Sequence, residues 1–200
     1  MQKGKFIIIE GIDGCGGETQ TRLLSDFLLK QGKEIKELTY PQYDKPIGQL
    51  IHNFLYEKYD LSPEVQALIY FSEFVKDKEE IKKDIDEGKI LISDRYFTST
   101  LVYQGLRGVE LEKLISLSNL FDIVRPDMCI YLKISPETSR KRKSKEKQGD
   151  LDRNERDLEL LKNLVNVYDK VAKNNLFCKW EIINGEQSIE EVHNQIIKLI

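Results

Sequence analysis

The residues best suited to chemistry fall in one short stretch, Gly11-Ile12-Asp13-Gly14-Cys15-Gly16-Gly17-Glu18-Thr19-Gln20. A loop that wraps a phosphate chain reads G-x-x-x-x-G-K-[S/T]. Gly11 and Gly16 occupy its two glycine positions. Glycines there let the backbone curl so that successive N–H groups point at one anion. The helix that must follow adds the positive end of its dipole. The two chemically active positions depart from the pattern: Gly17 stands where the lysine belongs, and Glu18 where the magnesium-binding Ser/Thr belongs. Losing one preorganised positive donor costs about 2.7–4 kcal/mol, or roughly two to three decades in rate, by comparison with oxyanion-site deletions. Glu18 can repel a phosphate, since like charges ~4 Å apart at an effective dielectric of ~20 cost about 4 kcal/mol. It can instead ligate Mg²⁺, turning repulsion into a bridge. A glycine turn without a ligand is the plain alternative.

A second group is Ser93-Asp94-Arg95-Tyr96, followed by Ser99 and by Tyr103-Gln104-Gly105. Asp94 closes an apolar run, where open α/β sheets place their ligands. Its carboxylate can organise Mg²⁺ or hold a neighbouring arginine. Arg95 offers a planar fork suited to a monophosphate. A local salt bridge at a strand end is the simpler reading of that pair. A third group is the run Arg140–Lys147, with six basic residues in eight, followed by Gly149, Asp150 and Asp152. It reads either as a solvated helix face or as a mobile basic lid over about residues 140–156.

These groups need elements to position them. Phe6–Ile9 is a short apolar run ending at the glycine cluster, a buried parallel strand. Leu23, Leu24, Phe27 and Leu28 follow at helical spacing, stopping near Gly32. Glu34–Tyr40 reads as a second strand. Pro63 to about Asp86 is a long amphipathic helix with Val65, Leu68, Ile69, Phe71 and Val75 on its apolar side, closed by Gly88. Strands follow at Ile90–Ile92, Met128–Ile134 and Trp180–Ile183. Ser188 with Glu191 opens the last helix in a capping-box pattern. Strands alternating with helices predict an α/β domain spanning residues 1–200: a five-stranded parallel sheet with helices on both faces.

Composition removes other classes. Hydrophobic residues make up 40% and charged residues 32% of 200, as in ordinary globular proteins. A net charge of −3 gives no general nucleic-acid surface. The apolar runs are too short to span a membrane, and Met1–Lys5 leads straight into a strand with no signal-peptide pattern. Cys15, Cys129 and Cys178 are scattered, and His52 and His193 stand far apart, so neither zinc nor disulfides are expected. A reducing, cytoplasmic compartment follows.

The chain resembles the thymidylate kinases. Their loop is similar to Glu10-Gly11-Ile12-Asp13-Gly14-x-Gly16, and Thr19-Gln20 match its end. Asp94-Arg95-Tyr96, Ser99 and Tyr103-Gln104-Gly105 resemble a second family stretch. Pro46-Ile47-Gly48, Pro136-Glu137 with Arg142, Asp152-Arg153-x-Glu155 with Tyr168, and Ser188–Val192 extend the likeness along nearly the whole chain. The resemblance implies a P-loop kinase fold, ATP and Mg²⁺, and dTMP as acceptor. It implies that ATP lies on Gly11, Asp13, Gly14, Cys15, Gly16, Gly17, Glu18 and Thr19 with Arg142, and that Glu18 and Asp94 serve the metal. The acceptor side would use Asp13 at the sugar 3′-hydroxyl, Arg95 at the monophosphate and Tyr103 at the sugar face. Ser99 and Gln104 would lie near base or phosphates, and Tyr70 would stack on thymine, although for Tyr70 alone core packing on the long helix is the more common explanation. Arg95, Asp94 and the lid's Arg153 would be catalytic. Phe74, and Tyr43 less regularly, stand where the family carries arginine. Members are commonly homodimers, and the helix beginning near Glu110 offers an interface. Three activities fit: a dTMP kinase whose lid cations replace the loop lysine, an impaired paralogue that binds nucleotide as a regulatory module, or a kinase for another nucleotide or nucleoside.

Overall fold

A computed structural model describes residues 3–146 and 151–200. Positions 147–150 of the expected lid, including Lys147, Gly149 and Asp150, lie outside the described residues, as do Met1 and Gln2. The chain runs β1 (Lys5–Glu10), α1 (Gly17–Lys30), β2 (Ile35–Thr39), α2 (Pro46–Leu55), α3 (Pro63–Asp86), β3 (Ile90–Asp94), α4 (Phe97–Leu106) and α5 (Leu111–Leu120). It continues through β4 (Met128–Lys133), α6 (Pro136–Glu146), α7 (Arg153–Arg156), α8 (Leu158–Lys173), β5 (Trp180–Asn184) and α9 (Ile189–Ile197).

The strands form one parallel sheet in the order β2-β3-β1-β4-β5. Side chains alternate faces along a strand. In β1 every residue from Phe6 to Glu10 is buried, and in β4 every residue from Met128 to Leu132. Both faces are therefore covered, which is why these strands read as continuous apolar runs. The chain leaves β1 for β2 and β3 on one side, then crosses to β4 and β5 on the other. That reversal opens a crevice at the carboxyl ends of β1, β3 and β4. The last residue of β3, Asp94, stands in register with Ile9 and Thr39.

The expected apolar side of α3 holds at Phe71, Ile69 and Val75, which are buried or packed against the core, but not at its start. In α3, Val65 and Leu68 are exposed, at 40% and 56%. The buried set is Ala67, Phe71, Phe74, Ile81 and Ile85, with polar Gln66, Glu73 and Asp84 among them. Those polar residues tolerate burial because partners meet them. Gln66 donates to the Leu61 carbonyl at 2.8 Å, Glu73 accepts from the Gln42 amide at 3.0 Å, and Asp84 pairs with Lys36 and Lys89. A smaller cluster of Ile51, Phe54 and Leu55 joins α2 to α3 through Ile69 and Tyr70.

Candidate active site

The first loop leaves β1 and enters α1 at Gly17. Gly16, at φ 95°, is the N-cap and has no side chain to cap the helix. A side chain there would be strained. The first amides of α1 are thus left facing outward for an anion. Cys15 is buried behind the loop, and burial pushes its thiol up to about 12, so it stays neutral.

Gly17 matters for what sits against it. A Cβ at this position would stand 2.3 Å from Asp94 Oδ1. The Asp94 carboxylate therefore occupies the start of the path a lysine side chain would take. Burial pushes its pKa up to about 6; Arg95 opposes the shift, and Glu10, Glu18 and Asp13 add to it. Among the described residues its side chain has no hydrogen-bond partner. Glu18 lines the same cleft. Two carboxylates, Asp94 partly buried and short of positive partners, suit Mg²⁺, which favours one or two carboxylates plus substrate phosphates. No cluster of three or more metal-ligating side chains occurs among the described residues.

Arg95 sits at φ 66°, in the left-handed region, directly after β3. Such a backbone costs on the order of 1–3 kcal/mol for a non-glycine residue. The strain aims the guanidinium back over the loop. Its Nη2 donates to Asp13 Oδ1 at 2.7 Å and its Nη1 to Ser99 Oγ at 3.3 Å, and it lies 5.7 Å from the centre of the Tyr103 ring. Tyr103 donates its hydroxyl to Asp13 Oδ2 at 3.3 Å. Beneath them Glu10 is buried at 1% exposure. It accepts from Thr98 Oγ1 at 2.6 Å, from Ser99 Oγ at 2.8 Å and from the Tyr168 hydroxyl at 2.8 Å. These bonds fix the start of α4 to the end of β1, and so fix Ser99 and Arg95 relative to the loop.

Two clefts open on this frame. The first, of about 520 Å³, is lined by all seven residues expected on the acceptor side: Asp13, Tyr70, Phe74, Arg95, Ser99, Tyr103 and Gln104. Phe74 is buried in an aromatic cluster, 5.1 Å from Tyr40 and 4.8 Å from Tyr96 by ring centroids. The second cleft follows the loop from Asp13 through Gln20 and reaches Asp94, Arg95 and Arg142. Gly11 lies behind the loop and lines neither. Arg153 also lines neither cleft. It donates to Asp60 Oδ1 at 2.9 Å and to the Tyr59 carbonyl at 3.2 Å, and packs 4.1 Å over the Phe54 ring. The structure thus separates Arg153 from the other expected catalytic residues.

Sequence reasoning missed several neighbours. Tyr40 and Pro41 line the acceptor cleft, as does Asn154. Arg107 bridges Gln66 Oε1 and Asn154 Oδ1, both at 2.6 Å, tying α3 to α7. Lys143 lines the loop cleft. Asn154 lies inside the Asp152–Glu155 match, Lys143 inside the basic run Arg140–Lys147, and Tyr40 and Pro41 beside Tyr43; Arg107 lies in no motif.

Comparison with known proteins decides the family. The thymidylate kinase family model matches residues 9–196. The chain belongs to the thymidylate kinase family. It is 38% identical to the thymidylate kinase of Thermoanaerobacter sp. (strain X514), covering 99% of this chain and 98% of that one. It is 35% identical to a probable thymidylate kinase of Thermococcus kodakarensis (strain ATCC BAA-918 / JCM 12380 / KOD1), covering 98% and 96%. The solved thymidylate kinase of Candida albicans shares the fold at a TM-score of 0.78 and 22% identity, over 99% of this chain and 91% of that one. A thymidylate kinase fold therefore carries a loop in which Gly17 and Glu18 replace the usual pair. Among the described residues, no helix is long and apolar enough to cross a membrane.

Proposed function

We propose that the protein transfers the γ-phosphoryl group of ATP to dTMP, giving dTDP and ADP. One observation carries the reading: Asp13 and Arg95 line both clefts, so an acceptor phosphate and a donor phosphate chain would meet across them. The triphosphate lies along the loop amides and the start of α1. The dTMP phosphate takes Arg95, displacing part of its bond to Asp13. A phosphate oxygen of dTMP then attacks the γ-phosphorus in line, and the bond to the bridging oxygen of ADP breaks. Tyr103 and Asp13 hold the sugar, Tyr70 covers the base, and Gln104 and Ser99 complete the cleft. Asp94 and Glu18 would hold Mg²⁺, which when bound offsets the charge on the phosphates. Arg153 serves the reaction only after leaving Asp60, so it belongs to a lid that moves. A homodimer and a cytoplasmic location complete the proposal. Exposed Leu68, Leu120 and Phe121 supply apolar surface for the dimer.

Nucleotide binding without turnover is a second reading, favoured by Gly17 and by the position of Arg153. A changed acceptor is a third, favoured by Phe74 where an arginine is usual. Steady-state product formation from ATP–Mg²⁺ with dTMP, dUMP, dCMP, dGMP and thymidine separates the three. The proposal expects dTDP at an ordinary kinase rate, on the order of 1–100 per second. Binding without product, or a better acceptor than dTMP, would overturn it.

A further inference from the structure

The loop cleft has a charge deficit that one side chain is placed to fill. Three cations line it: Arg95, Arg142 and Lys143. Arg95 is committed to Asp13 and the acceptor side. Arg142 is committed to the backbone, donating from Nη1 to the Gly14 carbonyl and from Nη2 to the Gly185 carbonyl, both at 3.0 Å. Among the described residues Lys143 pairs with acidic side chains, Glu146 at 2.9 Å and Glu155 at 3.5 Å.

The geometry of α6 explains why Lys143 reaches the loop. Ser139, Arg142, Lys143 and Glu146 are spaced i, i+3, i+4 and i+7, so they share one helix face. That face is fastened to the loop: Ser139 Oγ donates to the Asp13 carbonyl at 2.6 Å, and Arg142 holds Gly14. The Lys143 stem packs so closely that a Cβ on Gly14 would lie 3.4 Å from its Cγ. Its side chain is 14% exposed, whereas that of Glu146 is 61% exposed. Glu146, at the exposed end of its pair, can swing into water at a cost of about 0–1 kcal/mol. The ammonium keeps buried Glu155 at 3.5 Å and turns its remaining protons to a phosphate.

We propose that Lys143 supplies, from α6, the phosphate-facing positive charge that the loop lacks at Gly17, and that it contacts the β- and γ-phosphate oxygens of a nucleoside triphosphate. The proposal rests on the kinase reading for what fills the cleft, and it names a contact that reading does not need. In a thymidylate kinase with an intact loop the cation would come from the chain segment that cradles the phosphates. Here it comes from the far side of the cleft.

The test compares wild type with Lys143→Met, which keeps the stem against Gly14, with Lys143→Arg, and with Lys173→Met as an exposed control outside both clefts. ATP–Mg²⁺ affinity is measured by calorimetry, and kcat and KM for ATP and dTMP by initial rates. Lys143→Met should lose roughly two to three decades in kcat/KM for ATP, with KM for dTMP within twofold of wild type. Lys143→Arg should recover most of that loss. Glu146→Gln should tighten ATP binding up to about fivefold, and should do nothing in a Lys143→Met background. A folded Lys143→Met protein with ATP affinity and kcat/KM within threefold of wild type would overturn the proposal. If Lys143→Met does not fold, the Glu146→Gln result decides: no tightening overturns it. If wild type binds ATP without turnover, the kinase reading fails while the affinity comparison still decides Lys143. If wild type binds no ATP, both fail.

Discussion

Replacing Asp152 with asparagine should stabilise the ligand-free protein at alkaline pH and lose that advantage as the pH falls. Asp152 caps α7: its Oδ1 accepts from the amides of Asn154 at 2.8 Å and Glu155 at 3.1 Å, while Glu155 reaches back to the Asp152 amide at 3.0 Å. The residue is 8% exposed. Burial, and then the fields of Asp13 and Glu155, push its pKa up from 3.8 to about 6, with the two amides pulling the other way. A shift of about two units corresponds to about 3 kcal/mol, at 1.36 kcal/mol per unit. The sign follows from linkage. The folded protein holds this proton more tightly than the unfolded chain, so the ionised group costs stability above pH ~6. The cost shrinks between pH ~6 and ~4 and vanishes below. Asparagine keeps the cap, because its carbonyl oxygen accepts the same amides, and it removes the charge. Asp152→Asn should therefore gain up to about 3 kcal/mol at pH 8 and about half that at pH 5, read as the difference in urea unfolding free energy. Asp152→Ala also removes the charge but gives up the cap, at a cost of ~1 kcal/mol, and should fall below Asp152→Asn at both values. A gain equal at pH 8 and pH 5, or a loss at pH 8, would refute the electrostatic account.

Arg95→Ala should raise KM for dTMP and leave KM for ATP nearly unchanged. Two charge-assisted bonds to a phosphate contribute roughly 1.5–3 kcal/mol each; releasing Asp13 returns about 1 kcal/mol or less. The net of about 2–5 kcal/mol predicts roughly a 30- to 5,000-fold loss, measured by initial rates with dTMP varied at saturating ATP. Arg95→Gly should show the same kinetic loss but unfold about 1 kcal/mol later than Arg95→Ala, because glycine relieves the left-handed backbone. Gly17→Ala should weaken ATP–Mg²⁺ binding roughly 2- to 10-fold, the cost of rotating Asp94 off the new Cβ, as measured by calorimetry.

The parts of the fold set by burial were legible in the sequence. The buried strands β1, β3 and β4 showed as apolar runs, and Pro63, Gly88 and Ser188 marked helix ends in agreement with the structure. The face of α3 was legible only in part, at Ile69, Phe71 and Val75, because periodicity counts apolar residues and ignores partners. Val65 and Leu68 carry the pattern, whereas Gln66 and Glu73 carry the hydrogen bonds that allow burial. The loop and the Asp94–Arg95 group were legible because each is short and continuous. Arg153 stood out by its motif, whereas Lys143 did not stand out within a region dense in lysine and arginine, and the structure turns Arg153 away from the loop cleft that Lys143 lines. What separates them is rotation about a helix axis and contact with distant residues. Arg153 meets Asp60, while Lys143 packs against Gly14.

A cation on the loop and a cation on α6 differ in what they depend on. A loop lysine is carried by the same backbone that binds the phosphates, so it is present wherever the loop is folded. Lys143 is in place only while α6 is docked, and the docking rests on Ser139 to Asp13, Arg142 to Gly14 and Arg142 to Gly185. Each such bond contributes about 0.5–1.5 kcal/mol net, more where the guanidinium is a donor. The Asp94 carboxylate stands at the start of α1, where a side chain at Gly17 would begin, and so puts negative charge where the loop has no lysine. On the proposed reading, phosphate binding at this site would recruit charge from two other sources, a cation held by Asp94 and Glu18 and the docked face of α6. A triphosphate that draws both in would stabilise the docked helix by the same free energy with which the docked helix stabilises the triphosphate. On that reading, α6 docking and nucleotide affinity would form one equilibrium, rather than two steps in sequence.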